Sequence, residues 1–170
     1  MKKYIDLRSD TVTQPSQLML NELIKAPLGD DVFIEDPTVN ELENKAAKLL
    51  GKEKALLVPS GTMGNLIAVL VHCARGTEVI LGDCSHTFIY EAGGISAFGG
   101  IHSHQLKNES DGTINIKSIK KAIRQDNVHF PRTSLICLEN THNMCFGSPL
   151  STQYINQVSQ IAKKNNIKLH

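Results

Sequence analysis

Glu78-Val79-Ile80-Leu81-Gly82-Asp83-Cys84-Ser85-His86-Thr87 is the stretch on which the fold turns. A short apolar run with no alternation breaks abruptly into a polar loop, the pattern of a strand covered on both faces whose far end opens to solvent. Leu135-Ile136-Cys137-Leu138 repeats the pattern before Glu139-Asn140-Thr141-His142-Asn143, and Ala55-Leu56-Leu57-Val58 repeats it before Pro59-Ser60-Gly61-Thr62-Met63-Gly64-Asn65. Between these runs the period changes to that of helices. Gly64 to Ala74 reads as one helix and the region Phe88 to Ala92 as another. Ile116, Ile119 and Ile123 mark an inward face, as do Tyr154, Ile155, Val158, Ile161 and Ala162. With an extended Ile101 to Leu106, a turn at Asp111-Gly112 and a strand starting at Ile167, the alternation predicts an α/β fold with a mostly parallel sheet flanked by helices.

Ahead of this pattern the chain reads differently. Ser16 to Lys25 has helical spacing with Leu18, Leu20, Leu23 and Ile24 expected inward, and Ala26 to Asp36 is loop-like. Asp36-Pro37 is a strong helix start, with Asp as N-cap and Pro at the first helical position, and Val39, Leu42, Ala46, Leu49 and Leu50 follow until Gly51. The expected organisation is an arm, helix and loop over 1–36 and an incomplete α/β domain over 37–170.

Composition narrows the function classes. The 170 residues carry 18 Lys+Arg against 17 Asp+Glu, a net charge of +1, so a nucleic-acid partner is not expected. The basic cluster from Lys117 to Arg124 is interrupted at helical spacing by Ile119, Ala122 and Ile123, which makes it a solvated helix face. No run approaches the ~20 apolar residues of a membrane span, and Met1-Lys2-Lys3-Tyr4-Ile5-Asp6 meets charge too early for a signal peptide. Cys73, Cys84, Cys137 and Cys145 form no paired motif, so reduced thiols and a cytoplasmic location are expected.

In an open parallel sheet, ligands bind beyond the carboxyl ends of the strands, so the three polar loops are the candidate site. Ser60-Gly61-Thr62 runs directly into a helix, offering free amides, two hydroxyls and the helix dipole to one point. Spacing alone leaves open whether that is a phosphate cradle or an ordinary cap. There is no Walker sequence and no G-x-G-x-x-G after a strand, so a generic nucleotide-binding domain is the weakest reading. His86 stands where an imidazole stacks on a flat ligand or moves a proton, or is simply structural. Glu139, directly after a buried run, needs either a cation or a ligand to bond. His102 and His104 share one face of a strand but lack a third ligand, so no metal site is assigned. Arg8 and Asp10 suit an ordinary ion pair.

Taken together, Ile5-Asp6-Leu7-Arg8-Ser9-Asp10-Thr11-Val12-Thr13, Gly29-Asp30-Asp31-Val32, Glu35-Asp36-Pro37-Thr38, Pro59 to Asn65, His129-Phe130-Pro131-Arg132-Thr133 and Glu139 to Asn143 resemble the low-specificity L-threonine aldolases, in the family's order and over essentially the whole chain. That resemblance implies the large domain of the aspartate-aminotransferase type (fold type I) of pyridoxal 5'-phosphate (PLP) enzymes. It implies cleavage of L-threonine or L-allo-threonine to glycine and acetaldehyde, a small amino-acid substrate and a homo-oligomer of two or four chains. By resemblance, Ser60, Gly61 and Thr62 hold the cofactor phosphate, His86 stacks on its ring and acts as base, and Glu139 lies near the cofactor. Ser9 lies near the substrate carboxylate, and His129 near the substrate hydroxyl.

The family also uses a Lys that bonds the cofactor covalently and an Asp that pairs with its pyridine nitrogen. The resemblance assigns neither to a residue of this chain, so a truncated chain, inactive by itself, is expected; the alternative is a non-catalytic fragment or degenerate paralogue that associates with an intact subunit. Smaller departures are Phe33 for Tyr, Ile34 for Gly, and Met144-Cys145-Phe146 where the family tends to be glycine-rich.

Overall fold

The computed structural model describes residues 4–6 and 9–170. It divides into two compact units, Met1–Leu57 and Val58–His170.

In the first unit a short 3₁₀ turn, Asp10–Val12, precedes helix α1 (Gln17–Lys25), and a second, Asp31–Phe33, precedes α2 (Pro37–Leu50). The start of α2 is as the sequence predicts. Asp36 Oδ1 accepts the amides of Thr38 and Val39 at 3.0 and 2.9 Å, its Oδ2 accepts that of Gly29 at 3.0 Å, and Pro37 occupies the first turn. The helix ends where Gly51 turns left-handed at φ 62°. α1 forms where expected, but its side chains do not turn inward. Leu18, Leu23 and Ile24 are 77, 71 and 80% exposed, and no residue of α1 is buried. Two helices joined by a loop present too little surface to enclose a core of their own.

The second unit runs α3 (Gly61–His72), β1 (Glu78–Gly82), α4 (His86–Ile89), α5 (Gly94–Ala97), β2 (His102–Leu106), α6 (Ile116–Ala122), β3 (Thr133–Ile136), α7 (Thr152–Lys164) and β4 (Lys168–Leu169). The strands form one sheet in the order β2-β1-β3-β4, every pair parallel. One expected strand is absent among the described residues: Ala55 to Val58 has no ladder partner among them, Leu56 and Leu57 are more than half exposed, and the Leu57 amide donates to Glu43 Oε1 at 2.7 Å. A short apolar run suits a strand only if a sheet edge receives it, and this one lies where one unit gives way to the next.

Strand periodicity divides the core into two layers. Ile80 and Ile136 face one side, where Ile119 and Ala122 of α6 and Val158, Ile161 and Ala162 of α7 close over them. Val79, Leu81, Leu135 and Cys137 face the other, against Val69 of α3 and Ile95 of α5. Both faces are thus covered, and burying each such aliphatic side chain stabilises the fold by about 1.5–3 kcal/mol. Tyr154 pins α7 from within: its hydroxyl donates to the Ile114 carbonyl at 2.9 Å and accepts the Ile114 amide at 2.8 Å.

At the amino end of the sheet, Glu78 is fully buried, and its carboxylate is shared by four side chains. Arg124 Nε donates to it at 2.9 Å, Thr133 Oγ1 at 3.2 Å, His104 Nδ1 lies at 3.2 Å and His102 Nε2 at 3.7 Å. The two histidines singled out in the sequence therefore turn toward a buried carboxylate. This charge cluster ties β1, β2 and the loop before β3 together at the end opposite the candidate site.

Candidate active site

The site is built at the carboxyl ends of β1 and β3. β1 ends at Gly82, where an added Cβ would collide with the Asn108 side chain. That side chain organises the loop: its Oδ1 accepts the Cys84 amide at 3.0 Å and its Nδ2 donates to the Gly112 carbonyl at 3.1 Å. Ser85 Oγ then donates back to the Gly82 carbonyl at 2.8 Å, and α4 begins at His86. Burial foremost, with Asp83 beside it, raises the pKa of Cys84 above the ordinary thiol range, so this loop offers a neutral thiol and no thiolate nucleophile.

Glu139 joins the two loops. Its Oε2 accepts the His86 amide at 2.6 Å and its Oε1 accepts the Asn143 amide at 2.8 Å. The carboxylate that the sequence leaves unexplained therefore finds two backbone donors, one from each loop, and holds the base of α4 in place. Near it lies His142, 1% exposed, with Nε2 at 3.9 Å from Glu139 Oε2 and neither ring nitrogen hydrogen-bonded among the described residues.

The His86 imidazole is the most connected group here. Its Nδ1 lies 2.9 Å from Oε1 of Glu91, a carboxylate almost wholly buried, while the His86 side chain remains 43% exposed. The same Glu91 oxygen accepts Asn65 Nδ2 at 2.7 Å, and Asn65 Oδ1 lies 3.1 Å from His170 Nε2. The Tyr90 ring tilts against His86, centroids 5.4 Å apart. Sequence reasoning names His86 but misses Glu91, Asn65 and His170. Asn65 stands inside a loop already singled out, whereas Glu91 follows His86 across a four-residue helix and a turn, where no periodic signal exists. Partial burial foremost, with His72 nearby, lowers the His170 pKa from its ordinary value, so it is neutral at pH 7.

Asn65 also brings the other half of the site to His86, because it lies in the first turns of α3. There Ser60 is the N-cap, its Oγ accepting the Met63 amide at 3.1 Å. The amides of Gly61 and Thr62 have no partner among the described residues, Ser60, Gly61 and Thr62 are all exposed, and an added Cβ on Gly61 would meet nothing. An open end on a helix of 12 residues, with two unspent donors and two hydroxyls, has the chemistry of a phosphate cradle.

The remaining expected site residues lie elsewhere. His129 is exposed in the turn that leads into the amino end of β3, its amide on Asn127 Oδ1 at 2.9 Å, whereas His86 follows the carboxyl end of β1; in a parallel sheet these are opposite ends. Ser9 belongs to the first unit, where its Oγ caps the Asp10–Val12 turn and lies 2.8 Å from Thr11 Oγ1. The expected pairing of Asp10 with Arg8 lies outside the described residues, as does Leu7.

Comparison with known proteins agrees with this architecture. The family model described as beta-eliminating lyase matches residues 6–170. Low-specificity L-threonine aldolase 1 of Arabidopsis thaliana is 53% identical over 169 residues, covering 98% of this chain and 47% of that protein. Low specificity L-threonine aldolase of Escherichia coli K12 is 45% identical over 166 residues, covering 98% and 49%. Among solved structures, the threonine aldolase of Leishmania major superposes with a TM-score of 0.71 at 22% identity, over 89% of this chain and 43% of that one, a likeness of fold. The chain spans about half the length of the curated relatives it matches.

Proposed function

The chain belongs to the beta-eliminating lyase family, and from that premise we propose that it carries the phosphate-binding and proton-transfer side of a PLP-dependent threonine-aldolase active centre. The substrate class is a β-hydroxy-α-amino acid such as L-threonine or L-allo-threonine, split into glycine and acetaldehyde. One observation carries the reading: Asn65 of α3 and His86 of α4 meet on the same oxygen of Glu91, which joins an open helix end to an exposed imidazole.

The residues fit the cofactor. Ser60, Gly61 and Thr62 would hold its phosphate through unspent amides and hydroxyls, and the partly exposed His86 would be available to its ring. Bound there, PLP would supply the electron sink that lets a bond at Cα break. His86 takes the proton of the substrate β-hydroxyl, directly or through one water, as its partly exposed ring and buried carboxylate partner allow. Glu139 holds the His86 backbone so that the ring keeps its aim.

The covalent lysine and the pyridine-pairing aspartate are not assigned to any residue here. Lys117, Lys120, Lys121, Lys163 and Lys164 lie on α6 and α7, which cover the sheet face opposite α3. From the resemblance, which assigns neither group to this chain, the 170 residues alone are proposed not to turn over. In one chain His129 stands at the far end of β3, so its role toward the substrate hydroxyl belongs to an assembled enzyme. The exposed apolar side of α1, with Leu18, Leu23 and Ile24, supports association with a second copy.

The test is acetaldehyde release from L-threonine by the chain alone and by the chain joined to the carboxyl-terminal half of the Escherichia coli relative, each with added PLP. The expected result is background release from the first and PLP-dependent release from the second, lost in Ser60→Ala/Thr62→Val and in His86→Gln. A folded chimera that binds PLP and leaves threonine intact overturns the reading.

A further inference from the structure

We propose that Glu91 is a positioning residue which, held by Asn65 and His170, keeps the His86 ring proton on Nδ1 and so makes Nε2 the ring atom that accepts a proton at the site. The proposal deepens the lyase reading and rests on it only for the identity of the substrate proton.

The direction of each hydrogen bond follows from the chemistry of the partners. A carboxylate accepts only, so at 2.9 Å from Glu91 Oε1 the Nδ1 of neutral His86 must carry the hydrogen. The same requirement turns the Asn65 amide: its Nδ2, 2.7 Å from that oxygen, donates, which leaves Asn65 Oδ1 as an acceptor. His170 Nε2, 3.1 Å from Asn65 Oδ1, is then the N–H of its own ring. Each bond in the chain from His170 through Asn65 points its hydrogen toward Glu91, as does the bond from His86.

Burial gives the arrangement its force. Glu91 is 5% exposed, and a buried carboxylate stripped of its donors is costly, so it holds the two hydrogens it receives. His86 Nδ1 faces this buried oxygen while the side chain stays 43% exposed, so the unprotonated nitrogen is the one left for solvent or substrate. A base oriented by a third group in this manner is the general logic of activated imidazoles. The connection also explains why His170, directly after β4, matters to a residue of α4: through Asn65 it fixes the amide orientation on which Glu91 depends.

The tautomer is read directly, with no cofactor or substrate present, from two-bond ¹H–¹⁵N correlation spectra of the histidine-labelled 170-residue chain near neutral pH, with His86 assigned by the loss of its signals in His86→Gln. The expected wild-type result is His86 predominantly in the Nδ1–H form. In Glu91→Gln, isosteric but neutral, the ratio of Nδ1–H to Nε2–H falls at least about tenfold, equivalent to about 1.4 kcal/mol. In His170→Phe, which removes only the far end of the chain, the ratio falls by a smaller factor. A wild-type His86 protonated on Nε2, a wild-type ratio equal to that of free imidazole, or a folded Glu91→Gln variant with an unchanged ratio overturns the proposal. Because the spectrum contains neither PLP nor threonine, failure here and failure of the lyase reading are separate outcomes.

Discussion

Glu139 Oε2 accepts the backbone amide of His86 at 2.6 Å across 53 residues of sequence. Two loops from different strands are thereby fastened at one atom, and the first turn of α4 is set by a residue of β3's following loop. Glu139→Ala leaves the amides of His86 and Asn143 without their acceptor. We expect a loss of about 1–3 kcal/mol in urea unfolding. In the chimera defined above we also expect a fall in threonine cleavage, while Glu139→Gln, which can still accept both amides, retains more of each.

The charge cluster at the other end of the sheet yields a second expectation. Arg124→Met removes the full positive charge beside the buried Glu78 carboxylate, leaving it Thr133 and two histidines among the described residues. Breaking a buried pair from one side should cost about 3 kcal/mol, read from urea midpoints. The double variant Arg124→Met/Glu78→Gln should recover part of that loss, since no buried charge is then left uncompensated.

Asp36 predicts a pH dependence confined to the start of α2. The amides of Val39, Gly29 and Thr38, in that order of effect, lower its pKa below the ordinary carboxylate value. A depressed carboxylate adds stability that is complete above its unfolded pKa and is lost as pH falls through the folded one, so α2 should loosen below about pH 4. Comparing the acid limb of the helical circular-dichroism signal in wild type and Asp36→Asn checks this. The variant should be less helical near neutrality and should lose less on acidification.

Phe146 offers a stabilising substitution. It adopts φ 59° and is 98% exposed, so its side chain gains little from packing while its backbone occupies the left-handed region. Phe146→Gly relieves about 1–2 kcal/mol of steric cost against about 0.5–1 kcal/mol of added chain freedom. The net gain should raise the melting temperature by about 1–4 °C in a scanning experiment. Ile34, at φ 60° and 74% exposed, is the parallel case in the first unit.

These two positions show how departures in the sequence become legible once the backbone is known. By resemblance Ile34 stands at a glycine position and Phe146 within a segment expected to be glycine-rich, and both residues are left-handed, a conformation that glycine adopts at no steric cost. The reverse happens at Ala55 to Val58, whose apolar run suggests a strand. Composition cannot say whether a strand partner is available, and among the described residues this run is assigned to no strand.

The sequence by itself determined most of the elements and their order, because local signals decide them: unbroken apolar runs for β1 and β3 and inward isoleucines for α6 in the second unit, and an Asp-Pro cap for α2 in the first; the short α5 carries no such signal. It also determined the candidate loops, since in a parallel sheet the residues after each strand share one end. Only the tertiary structure decided which polar groups meet there. Glu139 capping His86, Glu91 shared by His86 and Asn65, and His170 closing the chain are contacts between residues from 5 to 105 apart in sequence. No periodicity spans such separations, because they are set by strand order and by where buried carboxylates find donors. His129, equally prominent as a motif residue, falls at the opposite end of the sheet for the same reason: strand direction, invisible in a motif, decides which end a loop serves.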